Sequence, residues 1–147
     1  MKTKIFLSIL LIFISLAFTS EHTCGDETVY ANSKQTANDN RFKKYKKIKD
    51  VPKFKGGERK LENIIRNNLV LADEAKSQIF NLNYQFTLTC EGKIKDVFQI
   101  GDPIADNWTN IETILKSTES NWNVAKKDGK AVNCIYFGKI FINGSQF

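Results

Sequence analysis

The side chains able to do chemistry in this chain are few and scattered. The single histidine, His22, stands near the N-terminus, outside the segment that reads as folded, so no Ser-His-Asp or Cys-His arrangement can form inside the fold. The three cysteines, Cys24, Cys90 and Cys134, belong to no CxxC or Cys/His cluster, which argues against zinc. There is no DxDxDG-like calcium loop, and Gly56-Gly57 lacks the pattern of a phosphate-binding loop. Glu58 and Glu62 are one helical turn apart and could be imagined as an acid/base pair. The simpler reading, solvated carboxylates near the positive end of a helix dipole, carries far more weight. No catalytic residue, metal site or cofactor is therefore expected, and the chain does not read as an enzyme.

Three cysteines is an odd number, so one thiol stays free, is modified or pairs between molecules. A Cys90–Cys134 bridge is open to the chain in an oxidising compartment, although spacing alone does not establish it. The net charge is +6, or about +4 (6 minus 2) without Lys2 and Lys4. A basic balance can signal an anionic partner. No nucleic-acid motif accompanies the charge here, so no nucleic-acid partner is expected.

The elements that position these residues start late in the chain. Lys2 and Lys4 precede the apolar run Ile5–Phe18, and Ala17, Thr19 and Ser20 at its end are small residues for cleavage. Residues 1–20 thus read as a signal peptide, with an uncleaved anchor as the alternative. Cys24 raises lipid modification, against which Glu21 and His22 break the small apolar run that a lipobox needs. Residues 21–50 read as a polar, basic linker. Within it Phe42, Tyr45 and Ile48 recur every third residue among lysines, which would suit a short turn touching the domain, a partner or a membrane; a solvated linker is the favoured reading.

Residues 51–147 read as one domain. Gly56-Gly57 permits a sharp turn into a helix on which Leu61, Ile64, Ile65 and Leu69 share one face. Phe80, Leu82, Tyr84, Phe86, Leu88 and Cys90 alternate with polar residues, a period of two that predicts a half-buried strand. Glu91-Gly92 turns the chain, and Lys93–Ile100 returns as its hairpin partner. Asp106 or Asn107 is placed to cap a second helix carrying Trp108, Ile111, Ile114 and Leu115. Residues 131–142 form the last strand, with Gly138 marking a bulge or a close approach by another backbone. The fold class is α+β, in the order α-β-β-α-β, with two helices on one face of a three-stranded antiparallel sheet.

Three stretches in this order resemble one family. Pro52–Leu69 resembles the opening of the TonB C-terminal domain in the form common among Bacteroidota energy transducers. The segment Phe80–Ile100, with Glu91-Gly92-Lys93-Ile94-Lys95-Asp96-Val97 at its turn, is similar to that family's central hairpin. Ile114-Leu115-Lys116-Ser117, Trp122 and Asp128-Gly129-Lys130-Ala131-Val132 resemble its closing segment. The resemblance covers about residues 51 to 142 and implies the TonB/TolA-like fold.

It also implies a function: binding an extended peptide of an outer-membrane transporter, or of another envelope partner, by adding it as a strand to the sheet. By resemblance the receiving edge is the last strand, over Val132, Asn133, Cys134, Ile135, Tyr136, Phe137, Gly138 and Lys139. The protein would be exported, acting in the periplasm or cell envelope. It would meet a membrane only through an uncleaved N-terminus or a lipidated Cys24. A structural or assembly protein that uses this strand for self-association is the alternative, since an exposed edge is also a dimerisation surface.

Overall fold

The computed structural model describes residues 24–25, 28–32, 40–101 and 107–147. The signal-peptide segment 1–20, His22 and Asp106 lie outside the described residues. The class is α+β, with three helices and a five-stranded main sheet.

Strand β1 (Tyr30–Asn32) and strand β2 (Lys46–Ile48) precede the short β3 (Lys53–Phe54). Helix α1 (Glu58–Asn68) follows a turn in which Gly56 and Gly57 hold φ of 101° and 84°, a region that side chains resist. Leu61, Ile65 and Leu69 are buried along its inner face. The outer face closes with an Arg66–Glu62 ion pair at 2.8 Å, one turn apart. A single-turn helix α2 (Asp73–Lys76) leads into β4 (Ile79–Leu88).

β4 shows why its sequence alternates. Leu82, Tyr84, Phe86 and Leu88 are buried on the helix side, and Asn83, Gln85 and Thr87 face the other way. It pairs antiparallel with β5 (Ile94–Ile100), and the register shifts between Gln85 and Thr87. Asp96 on the opposite strand takes φ 50°, the mark of a bulge.

Helix α3 (Ile111–Lys116) buries Ile111, Ile114 and Leu115. Asn110, rather than Asp106 or Asn107, precedes its first turn, and the Asn110 side chain works across the fold. Its Oδ1 accepts from the Val70 N–H at 2.8 Å and its Nδ2 donates to the Asn68 carbonyl at 3.1 Å. A carbonyl freed at the end of α1 is thus satisfied from the start of α3. Short strands β6 (Trp122–Asn123), β7 (Lys126–Lys127) and β8 (Lys130–Ala131) lead to β9 (Cys134–Asn143).

The main sheet runs β2-β1-β9-β4-β5, which corrects the expectation of three strands. β1 lies parallel to β9, with Tyr30 opposite Cys134 and Ala31 opposite Ile135, and β2 lies parallel to β1. The polar segment 21–50 is therefore part of the fold where it is described. Its described apolar residues pack on the domain. Tyr30, Ala31 and Ile48 are buried, and Phe42 and Tyr45 pack beside Ile135 and Phe137 on the sheet face away from the helices.

The main core lies between α1, α3 and the even-numbered residues of β4 and β9. At its centre Trp122 meets Phe54, Phe86 and Tyr136 at ring separations of 5.2, 5.2 and 5.0 Å, all near edge-to-face. The Trp122 indole N–H donates to Thr118 Oγ1 at 3.0 Å, and that hydroxyl donates to the Leu115 carbonyl.

Candidate functional site

The candidate site is the last strand and its outer edge. Of the eight residues expected to receive a peptide, Val132 and Asn133 lie ahead of β9 and Cys134–Lys139 lie within it. Val132 is buried and donates its N–H to the Ala125 carbonyl at 3.0 Å. Asn133 binds on two sides: its carbonyl accepts from Tyr30 N–H at 3.2 Å, and its Oδ1 accepts from Cys90 N–H at 2.9 Å. Tyr136 belongs to the main core, where burial, helped by the nearby Glu58 charge, pushes its hydroxyl up to about 12.

The receiving edge is not open along its whole length. β9 is an inner strand at Cys134 and Ile135, where the chain's own β1 pairs with it. The backbone groups that face outward belong to the odd-numbered residues. Asn133 gives its carbonyl to Tyr30, and Phe141 gives its carbonyl to Arg66 Nη2 at 2.8 Å. Between them the antiparallel ladder to β4 turns the N–H and C=O of Phe137 and Lys139 to the same side. Among the described residues no strand pairs with β9 beyond Ile135 on this side. Among the described residues, the stretch of β9 with no strand partner on this side runs from Phe137 to Phe141, shifted towards the C-terminus from the expected one.

Gly138 does not mark a bulge or a backbone approach. It sits directly opposite Tyr84 in an unbroken register. A Cβ there would lie 2.0 Å from the Tyr84 ring, so the glycine makes room for a neighbouring side chain. On the face away from the helices, a cleft of about 400 Å³ opens over β9, β4 and β5. Phe42, Phe137 and Ile100 form its apolar wall, and Asn83 and Lys139 add polar groups. Phe42 and Phe137 stack with centroids 4.1 Å apart.

The cysteines pair differently from the bridge considered. Cys24 is joined to Cys90, with Cα atoms 5.7 Å apart, and Cys134 is free and buried. The reason is topological. β1 runs beside β9, so the residues just before it arrive at the end of β4, where Cys90 stands. Gly25 is held there by an N–H bond to the Ala131 carbonyl at 2.9 Å. Cys24 has its sulfur in this bridge, which leaves it no thiol for a lipid. Burial pushes the Cys134 thiol up to about 12, far from a nucleophilic range.

Glu62 is ion-paired with Arg66, and Glu58 stands in the first turn of α1. Among the described residues no three His, Cys, Asp or Glu side chains converge as metal ligands would. No described helix is long and apolar enough to cross a membrane. Sequence reasoning missed Tyr30, which places β1 on this strand; Asn133, whose carbonyl holds it there, was among the eight expected residues. The one signal available was the Phe42, Tyr45, Ile48 spacing, whose apolar side chains proved to be turned into the domain. Comparison with known protein families, with curated proteins and with solved structures finds no match for this chain.

Proposed function

We propose that this chain is an exported, non-enzymatic binding domain of the TonB C-terminal type. It receives an extended segment of an outer-membrane transporter, or of another envelope protein, as an added strand on β9. The supporting observation is β1 itself. A three-residue segment of the chain already occupies part of this edge by parallel pairing, and the edge continues past it to Phe141. In this reading, outward N–H and C=O groups at Phe137 and Lys139 supply affinity.

The test is a titration of the isotope-labelled, disulfide-intact protein with periplasmic segments of such transporters. Amide shifts are expected at Phe137, Lys139 and Phe141. Saturating peptide that leaves those three amides unmoved would sink the proposal.

A second reading, self-association, draws on a separate observation. Ile79 and Phe141 are exposed diagonal neighbours on the sheet face away from the helices, and Phe98 is exposed further along that face. Sedimentation over a wide concentration range separates the two, because a concentration-independent monomer removes the self-pairing reading.

A further inference from the structure

The lysines that the sequence scatters are brought together at one corner of the fold. Residues 43–50 and 126–130 carry eight lysines and two aspartates between them. The two stretches are neighbours: Asp50 bridges to Lys126, whose N–H donates to the Asp50 carbonyl at 3.0 Å. Lys46 lies directly opposite Tyr30, and the Lys127 ammonium sits 2.9 Å from the Tyr30 hydroxyl. Lys46, Lys49, Lys126 and Lys130 are all exposed, and no described carboxylate lies within ion-pair reach of any of them.

The acidic groups nearest in sequence are Asp50, Asp128 and the pair Asp26-Glu27, too few to balance the cluster. Edge protection explains lysines on β2, an outer strand. The β7–β8 hairpin, a separate two-stranded sheet, sets Lys126, Lys127 and Lys130 beside them.

The chain also enters the fold at this corner. Cys24 and Gly25 line one small cleft together with Lys127 and Lys130. The apolar run ends at Phe18, six residues before Cys24, and six residues span about 20 Å at most. A domain carried by that run in a membrane would hold this corner close to the headgroups.

We propose that this lysine-rich corner docks on an anionic lipid headgroup surface, that of the membrane from which the N-terminal run leads. Phe42 and Tyr45 are turned into the domain, so the contact is electrostatic and not an inserted apolar face. Attraction of this kind falls off within a screening length of about 8 Å at physiological salt. It needs neither the peptide edge nor a partner protein.

The test uses the full chain on vesicles of phosphatidylcholine alone and on vesicles rich in phosphatidylglycerol. Because the apolar run of the full chain can itself partition into either vesicle, the readout is lysine acetylation by mass spectrometry and not partitioning. Phosphatidylglycerol is expected to protect Lys46, Lys49, Lys126 and Lys130 severalfold, and high salt to remove the protection. Lys95, on β5 at the opposite edge of the sheet, should react equally on both. Replacing Lys46→Gln and Lys126→Gln should remove most of the protection of Lys49 and Lys130. An intact Cys24–Cys90 bridge reports that this variant is folded. Equal acetylation on the two lipids overturns the proposal. So does protection of the same lysines by short duplex DNA but not by phosphatidylglycerol.

Discussion

Gly138 and Tyr84 face each other across β4 and β9, and the tyrosine ring occupies the space that a side chain on the glycine would need. The Tyr84 hydroxyl is buried, and burial raises its pKa above that of a free tyrosine. Gly138→Ala should therefore destabilise the protein by about 1–3 kcal/mol through overpacking. In urea unfolding the loss should shrink when Tyr84→Ala is already present. Equal losses with and without Tyr84 would show that the two positions are not coupled.

The Cys24–Cys90 bridge closes a loop with a sequence separation of 66 and fixes β1 beside β9. Cys24→Ser should lower stability by about 3–5 kcal/mol on a chain-entropy account. It should also raise amide exchange at Tyr30–Asn32 well before exchange rises in β4. If β1 only covers part of a peptide edge, the same variant should bind peptide more tightly. Unchanged exchange at Tyr30–Asn32 would show that pairing with β9, not the bridge, holds β1.

Cys134 and Tyr136 both have pKa values pushed up to about 12 by burial, from 9.0 and 10.0 respectively. Each group is kept neutral in the folded state, so its contribution is complete below its ordinary value and is lost as pH rises through the folded one. Stability should therefore be flat to about pH 9 and fall between about pH 9 and 12. Melting temperature against pH reads this directly. Native protein at pH 8 should also leave Cys134 unalkylated, and urea should expose it. Rapid alkylation without denaturant would contradict the burial.

Thr118 accepts the Trp122 indole N–H and passes its own hydrogen to Leu115, in a site that is nearly closed to solvent. Thr118→Val keeps the volume and leaves the indole donor unpaired. A loss of about 1–3 kcal/mol is expected. Thr118→Ser should retain most of the stability. A valine variant as stable as the parent would mean that the donor finds another acceptor.

Local pattern alone determined a good part of this protein. The alternation from Phe80 to Leu88 is a strand because each second side chain meets the helices, and that alternation is written residue by residue. The spacing of Leu61, Ile65 and Leu69 determined the buried face of α1, and Gly56-Gly57 the turn before it. The α+β class follows from those elements. Both kinds of signal are periodic, and period depends only on near neighbours.

What the tertiary structure decided has no period to read. β1 is three residues long and becomes a strand only because β9, a hundred positions further on, offers unpaired backbone. The partner of Cys90 depended on where that strand begins. The role of Gly138 depended on which side chain lay across from it. That Cys134 and Ile135 are inner positions of β9 was set by the pairing of Tyr30 and Ala31 with them, a matter of contact between distant parts of one chain.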